Sequence, residues 1–183
     1  MDAMECILKR RSTRAYKKEP VEREKLQKIV EAGLYAPSGM NGQPWRFTVV
    51  SDKKILDMLN DGVLSYMPAE VVERIRSRAA DNSFSFFYKA PTLILVSCGA
   101  DARFPKEDSA CALQNMFLCA EALGLGSCWI NQLCGDINDS AAIREIYKEI
   151  GIPDDHRVYG CAAIGYIDKA TPVKERRGVV KYI

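Results

Sequence analysis

The apolar positions near the N-terminus recur at the spacing of an α-helix, with charged residues between them. Asp2 and Glu5 stand at capping-box spacing, which predicts that this helix begins directly after Asp2. The helix should run into the basic residues Lys9 and Arg10. Its predicted apolar face consists of Met4, Ile7 and Leu8.

A second amphipathic pattern follows Pro20-Val21-Glu22, which is a typical helix start. This helix should end in the run 36–39, where proline, serine and glycine interrupt the pattern. Its predicted apolar face consists of Leu26, Ile29, Val30 and Leu34.

Between residues 45 and 98 the pattern switches between strand and helix. Residues 45–50 alternate and are rich in β-formers, which predicts a strand. Residues 91–98 are a continuous apolar run, typical of a central strand covered on both faces. Asp52 should cap one intervening helix, and residues 68–80 should form another. The apolar faces of these helices comprise Ile55, Leu56 and Leu59, and Val72, Ile75 and Ala79.

The longest amphipathic helix should begin at Asp108 and close at Gly124 and Gly126. A strand over residues 127–130 must follow it directly. The apolar stripe of this helix consists of Leu113, Met116, Phe117, Ala120 and Leu123.

The last helix should be capped by Asn138 and stopped by Gly151, with a strand over 157–166 after it. Residues 174–183 are basic and then strand-like. Because the chain shows no repeat, linker or low-complexity segment, it predicts one α+β domain over residues 1–183, with helices packed on a central sheet. The apolar face of the last helix consists of Ile143, Ile146, Tyr147 and Ile150.

Composition narrows the class of protein. The chain has 183 residues, of which 48% are apolar and 27% charged, which excludes disordered and fibrous classes. The formal net charge of +2 creates no global field that would favour nucleic acid or an anionic membrane. The first residues are acidic where a signal peptide is basic, and no apolar run is long enough to span a bilayer. We therefore expect a cytoplasmic protein.

The reactive side chains exclude several kinds of site. The seven cysteines are scattered and lack the paired spacing of structural metal sites, which predicts reduced and mostly buried thiols. His156 is the only histidine, in what the pattern predicts to be an exposed polar turn, so a multi-histidine metal site is excluded. Gly124-Leu125-Gly126 lacks the third glycine of a dinucleotide fingerprint, and no P-loop occurs. These absences favour the chemistry of a metal-free cofactor.

Three segments carry candidate binding chemistry. Arg10–Arg14 contains three guanidinium groups and two hydroxyls, which suit a phosphate ester, although solvated basic turns are common as well. A second basic cluster, Lys174, Arg176 and Arg177, could converge on the same anion. The run 36–45 mixes amide and hydroxyl side chains with glycine and proline. It is either an ordinary helix-to-strand loop or a loop that binds a polar planar ring.

Taken together, the motifs of the chain resemble those of the nitroreductase family. The motifs are Arg10-Arg-Ser-x-Arg14, Pro37-Ser-x-x-Asn-x-Gln-Pro-Trp45 and Gly124-Leu-Gly-Ser-Cys-Trp-Ile130. The closing Lys174-x-Arg176 before a Val-Val strand is similar too. These motifs follow the family's order and span nearly the whole chain.

The resemblance implies a central, mostly antiparallel sheet flanked by helices, and an intertwined homodimer whose C-terminal segments embrace the partner. It implies FMN at the subunit interface, NADH or NADPH as the electron donor, and a small electron-poor acceptor such as a nitroaromatic or quinone, with ping-pong kinetics. In line with the charge and composition, no metal, nucleic acid or membrane partner is expected. No catalytic side chain is expected, since N5 of the flavin would carry the chemistry and the backbone N–H at about Asn131 would face it.

The resemblance also assigns cofactor-binding residues to four groups. Arg10, Arg11, Ser12 and Arg14 would surround the phosphate, ribityl chain and pyrimidine edge, and Ser38, Gly39, Asn41 and Gln43 would come from the other subunit. Trp129, Ile130 and Asn131 would lie along the flavin ring, and Lys174 and Arg176 would close on the phosphate.

Substrate choice is less constrained than the cofactor. Asn131-Gln132 stands where relatives often carry Gly-rich or Glu-Gly pairs, and Arg177-Gly178 replaces a proline-containing lead into the tail. Residues 65–88, with aromatic residues crowded at 84–88, form either a cover over the site or part of the core. The fold could therefore serve another flavin reaction, such as oxidation, dehalogenation or flavin breakdown, or a non-catalytic flavin-binding protein.

Overall fold

A computed structural model of the protein describes residues 1–77 and 84–183. The described residues form six helices, four strands and two short 3₁₀ turns, Gly39–Asn41 and Gly135–Asp139. The helices are α1 (Ala3–Lys9), α2 (Arg23–Leu34), α3 (Lys53–Tyr66), α4 (Ala69–Arg76), α5 (Pro105–Ala122) and α6 (Ala141–Glu149). The strands are β1 (Trp45–Val50), β2 (Thr92–Gly99), β3 (Gly126–Ile130) and β4 (His156–Gly165).

The four strands form one sheet in the order β1-β2-β4-β3, and every neighbouring pair is antiparallel. This confirms the predicted α+β fold. Every residue of β2 is buried, which also confirms the prediction of a central strand covered on both faces. β3 is an edge strand, and Ser12 pairs with Ser127 on its outer side.

Two apolar cores cover the two faces of the sheet. Alternate residues of a strand point to opposite faces, so Leu93 and Leu95 join one core while Ile94 joins the other. The first core includes residues of α3 and α6, and the second includes residues of α2 and α5. Phe86 and Phe87 are buried in the first core, so for these two aromatics the core interpretation is correct.

Two of the predicted N-terminal helix caps are present in the structure. Asp2 forms a capping box with Glu5, and the side chain of Asp52 caps α3, as predicted. α5 begins at Pro105, about one turn before the predicted start at Asp108. The earlier start is possible because proline at the first helical position has no amide hydrogen that needs a partner.

Asn138 does not cap α6, because Ser140 occupies the N-cap position. The fully buried Asn138 amide nitrogen lies within hydrogen-bond distance of the carbonyl oxygens of Leu133, Gly135 and Val158. Its Oδ1 accepts a hydrogen bond from the Val158 N–H at 2.7 Å. Asn138 therefore joins a 3₁₀ turn to β4. The predicted cap is wrong because the contact between Asn138 and Val158 spans 20 positions, and local residue spacing does not indicate it.

The prediction that His156 is exposed in a turn is also wrong. His156 is the half-buried first residue of β4, and its Nδ1 lies 3.1 Å from the Ser97 hydroxyl. Ser97 is fully buried at the point where the register between β2 and β4 shifts. A buried hydroxyl requires a hydrogen-bond partner, and the histidine ring supplies one.

The C-terminal segment forms no strand in this chain. Residues 170–183 have no regular secondary structure, and Val179, Tyr182 and Ile183 are almost completely exposed. The predicted strand-like end is therefore wrong for the single chain. A strand needs a neighbour for its backbone hydrogen bonds, and no described strand pairs with this segment.

The helical prediction over 68–80 is confirmed for Ala69–Arg76, and Ala79 and Ala80 lie outside the described residues. On α1 the predicted apolar face is exposed, and Cys6 is the buried residue. None of the helices in the described ranges is long and apolar enough to cross a membrane.

Candidate functional site at the edge of the sheet

The N-terminal basic segment, Arg10–Arg14, lies along the outer edge of β3. The Thr13 N–H donates to the Ser127 carbonyl at 2.9 Å, next to the bridge between Ser12 and Ser127. Since α1 ends at Lys9, the chain leaves the helix at Arg10 and runs along this edge. The local sequence thus delivers three guanidinium groups directly after a helix and beside an edge strand.

The side chains of Arg10, Ser12 and Arg14 lie near the Cys128 thiol on β3. Burial raises the pKa of Cys128, and the charges of Arg14 and Arg10, together with a hydrogen bond from Ser12, oppose that rise. Arg10, Ser12 and Arg14 therefore all lie near the same thiol. Cys128 was not predicted as a member of the site, although its place inside the Gly-Ser-Cys-Trp motif was the available signal.

Arg14 contacts Tyr88 in two ways. Its Nε donates to the Tyr88 hydroxyl at 3.3 Å, and its guanidinium carbon lies 5.7 Å from the centre of the ring. The hydrogen bond raises the pKa of Arg14, so the side chain stays positively charged. Tyr88 and Lys89 both have left-handed backbones, with φ of 58° and 56°, a conformation that costs on the order of 1–3 kcal/mol. The sequence indicated Tyr88 only as one of several crowded aromatics.

Arg11 turns back onto the end of α1. Its Nη1 donates to the carbonyl oxygens of Leu8 and Arg10 at 2.6 and 2.8 Å, which satisfies acceptors at the helix C-terminus. Its Nε is buried and has no hydrogen-bond partner among residues 1–77 and 84–183. A buried donor without a partner is unusual in a folded protein, and a bound anion or water would satisfy it.

The end of β3 presents backbone and polar groups next to this cluster. Trp129 is 38% exposed and its indole N–H donates to the Asn131 side chain at 3.3 Å. The Ile130 side chain is buried in the first core, so only its backbone is available to a ligand. The Asn131 N–H donates to Oε1 of Gln132 at 3.1 Å. A cavity of about 290 Å³ opens beside Asn131 and Gln132, between them and the end of α3.

The loop from Ser38 to Gln43 is held by its own hydrogen bonds. The Ser38 hydroxyl accepts from the Gln43 N–H at 3.0 Å, and the Gln43 amide donates to Asn41 Oδ1 at 2.9 Å. Met40, Asn41 and Gln43 have left-handed backbones, with φ of 55°, 56° and 44°. The loop is therefore a preformed polar surface whose strain the surrounding contacts maintain.

This loop and the basic segment lie at opposite ends of the sheet. Ser127, beside the basic segment, pairs with Ile164, which pairs with Thr92 at the start of β2. The loop leads into Trp45, which pairs with Cys98 near the end of β2. At about 3.3 Å per residue, the distance from Thr92 to Cys98 is about 20 Å. One chain therefore does not bring the two groups together.

The C-terminal basic residues Lys174 and Arg176 are also separate from Arg10, Ser12 and Arg14. The start of the tail is attached, since the Thr171 hydroxyl donates to the Ser12 carbonyl at 3.0 Å. Lys174 and Arg176 lie beyond this anchor and are exposed. No group of three potential metal ligands occurs in the parts of the chain that the structure describes.

Comparison with known proteins assigns the chain to a family. The model of the "Nitroreductase family" matches residues 7–166. A crystal structure of a nitroreductase with bound FMN from Bacteroides fragilis is 36% identical, covers 100% of this chain and 99% of that chain, and gives a TM-score of 0.87.

Two further relatives match nearly the full length. Iodotyrosine deiodinase from Thermotoga neapolitana is 30% identical over 180 residues, which are 94% of this chain and 92% of that protein. A provisionally named NADH dehydrogenase/NAD(P)H nitroreductase from Archaeoglobus fulgidus is 28% identical over 174 residues, 90% of this chain and 85% of that protein. The resemblance that the motifs indicated is confirmed: this chain belongs to the nitroreductase family.

Proposed function

We propose that this chain binds FMN and passes electrons from NADH or NADPH to a small electron-poor acceptor. The convergence of Arg10, Ser12 and Arg14 at the edge of β3 is the observation that carries the proposal. Two guanidinium groups and a hydroxyl suit a phosphate ester, and the open backbone edge of the strand suits a planar ring with hydrogen-bonding atoms. The FMN bound to the similar Bacteroides fragilis protein supports the identity of the ligand.

The residues present fit this cofactor. The Nε of Arg11 is a buried donor with no hydrogen-bond partner among the described residues, and a phosphate oxygen would satisfy it. Lys174 and Arg176 lie beyond the tail's anchor on Ser12 and would close on the same phosphate by folding back over the basic segment. Trp129, Ile130 and Asn131 would lie along the ring, Ile130 through its backbone alone.

The proposed site requires two chains. Because Ser38, Gly39, Asn41 and Gln43 lie about 20 Å along the sheet from the basic segment, they would serve the site of a partner subunit. The exposed tail and the exposed apolar face of α1 supply surface for such a homodimer. A cytoplasmic location and the absence of a nucleic-acid partner stay predictions from the sequence.

When bound, FMN would supply the hydride and electron transfer that the protein's own side chains cannot. Arg14 would place a fixed positive charge at the pyrimidine edge, where negative charge grows on reduction, and would favour the reduced form. The Asn131 N–H would orient N5, which requires Gln132 to release it. His156 is hydrogen-bonded to Ser97 in the sheet, so no acid–base residue is assigned a step.

A second candidate reaction is reductive dehalogenation on the same FMN fold. The observation in its favour is the similarity to the deiodinase of Thermotoga neapolitana over nearly the full length of both proteins. A protein that binds flavin without catalysing turnover is the third candidate.

The test is an anaerobic titration of the FMN-loaded protein with NADH and with NADPH, followed by flavin absorbance. We expect stoichiometric bleaching by one or both donors and reoxidation by a nitroaromatic or quinone, with parallel-line steady-state kinetics. Free FMN at the same concentration is the control. Bound flavin that neither donor bleaches, but that reacts with a halogenated phenol after dithionite reduction, would favour dehalogenation. If the protein binds no FMN, the proposal fails.

A further inference from the structure

We infer that Asp108 is a positioning residue: from the first turn of α5 it holds the Ser38–Gln43 loop in the shape that completes the partner subunit's FMN site. This inference rests on the proposed function. Asp108 is only 5% exposed, which is unusual for a carboxylate. A buried carboxylate is costly unless it is hydrogen-bonded.

The Asp108 carboxylate is hydrogen-bonded to the Ser38–Gln43 loop. Its Oδ1 accepts from the Gly39 N–H at 2.8 Å, across 69 positions of sequence. Asp108 lies in the first turn of α5, at the positive end of the helix dipole, which is a favourable place for an acidic side chain. A charged acceptor makes a stronger hydrogen bond than a neutral one, so this bond is suited to fixing a loop.

Phe104 closes on the same glycine from another side. A Cβ atom on Gly39 would lie 2.2 Å from Phe104 Cδ2, so the ring packs directly over the Gly39 backbone. Phe104 is the N-cap residue of α5, which means that one helix end provides both the charge and the ring. Arg103 extends the contact, because its guanidinium stands over the Phe104 ring and donates to the Met40 sulfur.

These contacts explain how the loop keeps its strained shape. Three non-glycine residues that follow Gly39, namely Met40, Asn41 and Gln43, have left-handed backbones. Each such residue is strained, so a polar loop without supporting contacts would relax. The Asp108 bond and the Phe104 ring fix the loop where it begins, and the bond from Gln43 to Ser38 closes it. Asp108 would thus act on flavin binding without touching the flavin.

The chain offers a matched control for Asp108. Glu107 is the neighbouring acidic residue in the same first turn and is exposed. Glu107→Gln removes the same charge from the same helix end and leaves the Gly39 bond intact. Asp108→Asn keeps an oxygen acceptor of the same shape, whereas Asp108→Ala removes the acceptor.

The experiment measures two quantities on these three variants and the unaltered protein. The first is amide hydrogen exchange of the 38–43 segment in the FMN-free protein. The second is the dissociation constant for FMN by fluorescence quenching, at a temperature where circular dichroism shows every variant folded. We expect Asp108→Ala to speed exchange of the segment at least tenfold and to weaken FMN binding 10- to 100-fold. Asp108→Asn should stay within about fivefold of the unaltered protein in both, and Glu107→Gln should match it.

The outcomes separate this inference from the proposed function. Exchange at the unaltered rate in folded Asp108→Ala, or an equal effect of Glu107→Gln, would overturn the positioning role. Faster exchange with unchanged FMN affinity would overturn the link between the loop and the flavin. Failure of the unaltered protein to bind FMN would instead sink the proposed function, and the exchange data would still decide whether Asp108 holds the loop.

Discussion

Arg14 shows at the residue scale how one side chain can be prepared for a ligand. Tyr88 holds the guanidinium by a hydrogen bond and a ring contact, and the hydrogen bond raises the pKa of Arg14. The charge is therefore both permanent and fixed in place. In the proposed site it would stabilise negative charge on the reduced flavin more than on the oxidised flavin.

Replacement of Arg14 should therefore affect flavin affinity and flavin potential together. We expect Arg14→Gln to weaken FMN binding about 10-fold or more and to make the two-electron potential more negative by on the order of 30 mV, which is about tenfold in equilibrium constant. The measurement is a redox titration of the bound flavin beside a reference dye. Arg23→Gln, which removes an exposed arginine from α2, is the control and should change neither. An unchanged potential would contradict the assigned role of Arg14.

A second residue-scale prediction concerns Glu22. A hydrogen bond from Tyr166, supported by Lys25, lowers the pKa of Glu22 to about 2 from 4.5. Because the folded-state pKa is the lower one, the stabilisation is present above pH 4.5 and is lost as the pH falls towards 2. We expect the Tm difference between the unaltered protein and Tyr166→Phe to be largest above pH 5 and to shrink below it. In a Glu22→Gln background this pH dependence should vanish, and its persistence would assign it to another group.

At the scale of elements, Asn138 fastens the 3₁₀ turn Gly135–Asp139 to β4 through buried hydrogen bonds. Asn138→Ala would leave the Val158 N–H and nearby carbonyls unpaired, and each such group costs about 1–3 kcal/mol. We expect a loss of about 3 kcal/mol in the free energy of unfolding, measured by urea titration. Ser140→Ala is the control: its side chain makes no capping bond, so we expect about 0.5 kcal/mol or less. A loss for Asn138→Ala no larger than that for Ser140→Ala would contradict this role of the Asn138 hydrogen bonds.

The sequence predicted the ends of helices and strands correctly where the residues that set them are neighbours in sequence. The capping box at Asp2, the cap at Asp52 and the alternation in β1 were all visible in consecutive residues, and the structure confirms them. The start of α5 was missed because a proline outweighed the capping preference of Asp108, whose carboxylate is used by Gly39 instead. Asp108 as a positioning residue could not be predicted, since its partner lies in a distant loop.

At the scale of the whole molecule, apolar side chains of α1 and of the C-terminal tail are exposed, and they would be covered in the proposed dimer. Ile7 and Leu8 on α1 are 48% and 64% exposed, and Val179, Tyr182 and Ile183 in the tail are almost completely exposed. We expect the protein to sediment at twice the mass of one chain in analytical ultracentrifugation. Leu8→Asp should weaken dimerisation at least tenfold with little change in the fold, because this side chain contributes little to the core.

The control for that prediction is Lys54→Asp, which makes a comparable change on the exposed face of α3 and should leave the dimer intact. Sedimentation of the unaltered protein as a monomer at micromolar concentration would contradict the two-chain site. In that case the Ser38–Gln43 loop would have no basic segment to meet.

The sequence by itself determined the number and kind of most elements, because hydrophobic period, caps and glycine stops act within a few residues of one another. It also determined the family, because the motifs at Arg10–Arg14, 37–45 and 124–130 occur in order along one chain. Only the tertiary structure decided the strand order, the burial of Asn138 and His156, and the distance between the basic segment and the Ser38–Gln43 loop. These depend on pairings between residues far apart in sequence, whose energies come from packing and buried hydrogen bonds that no local pattern records.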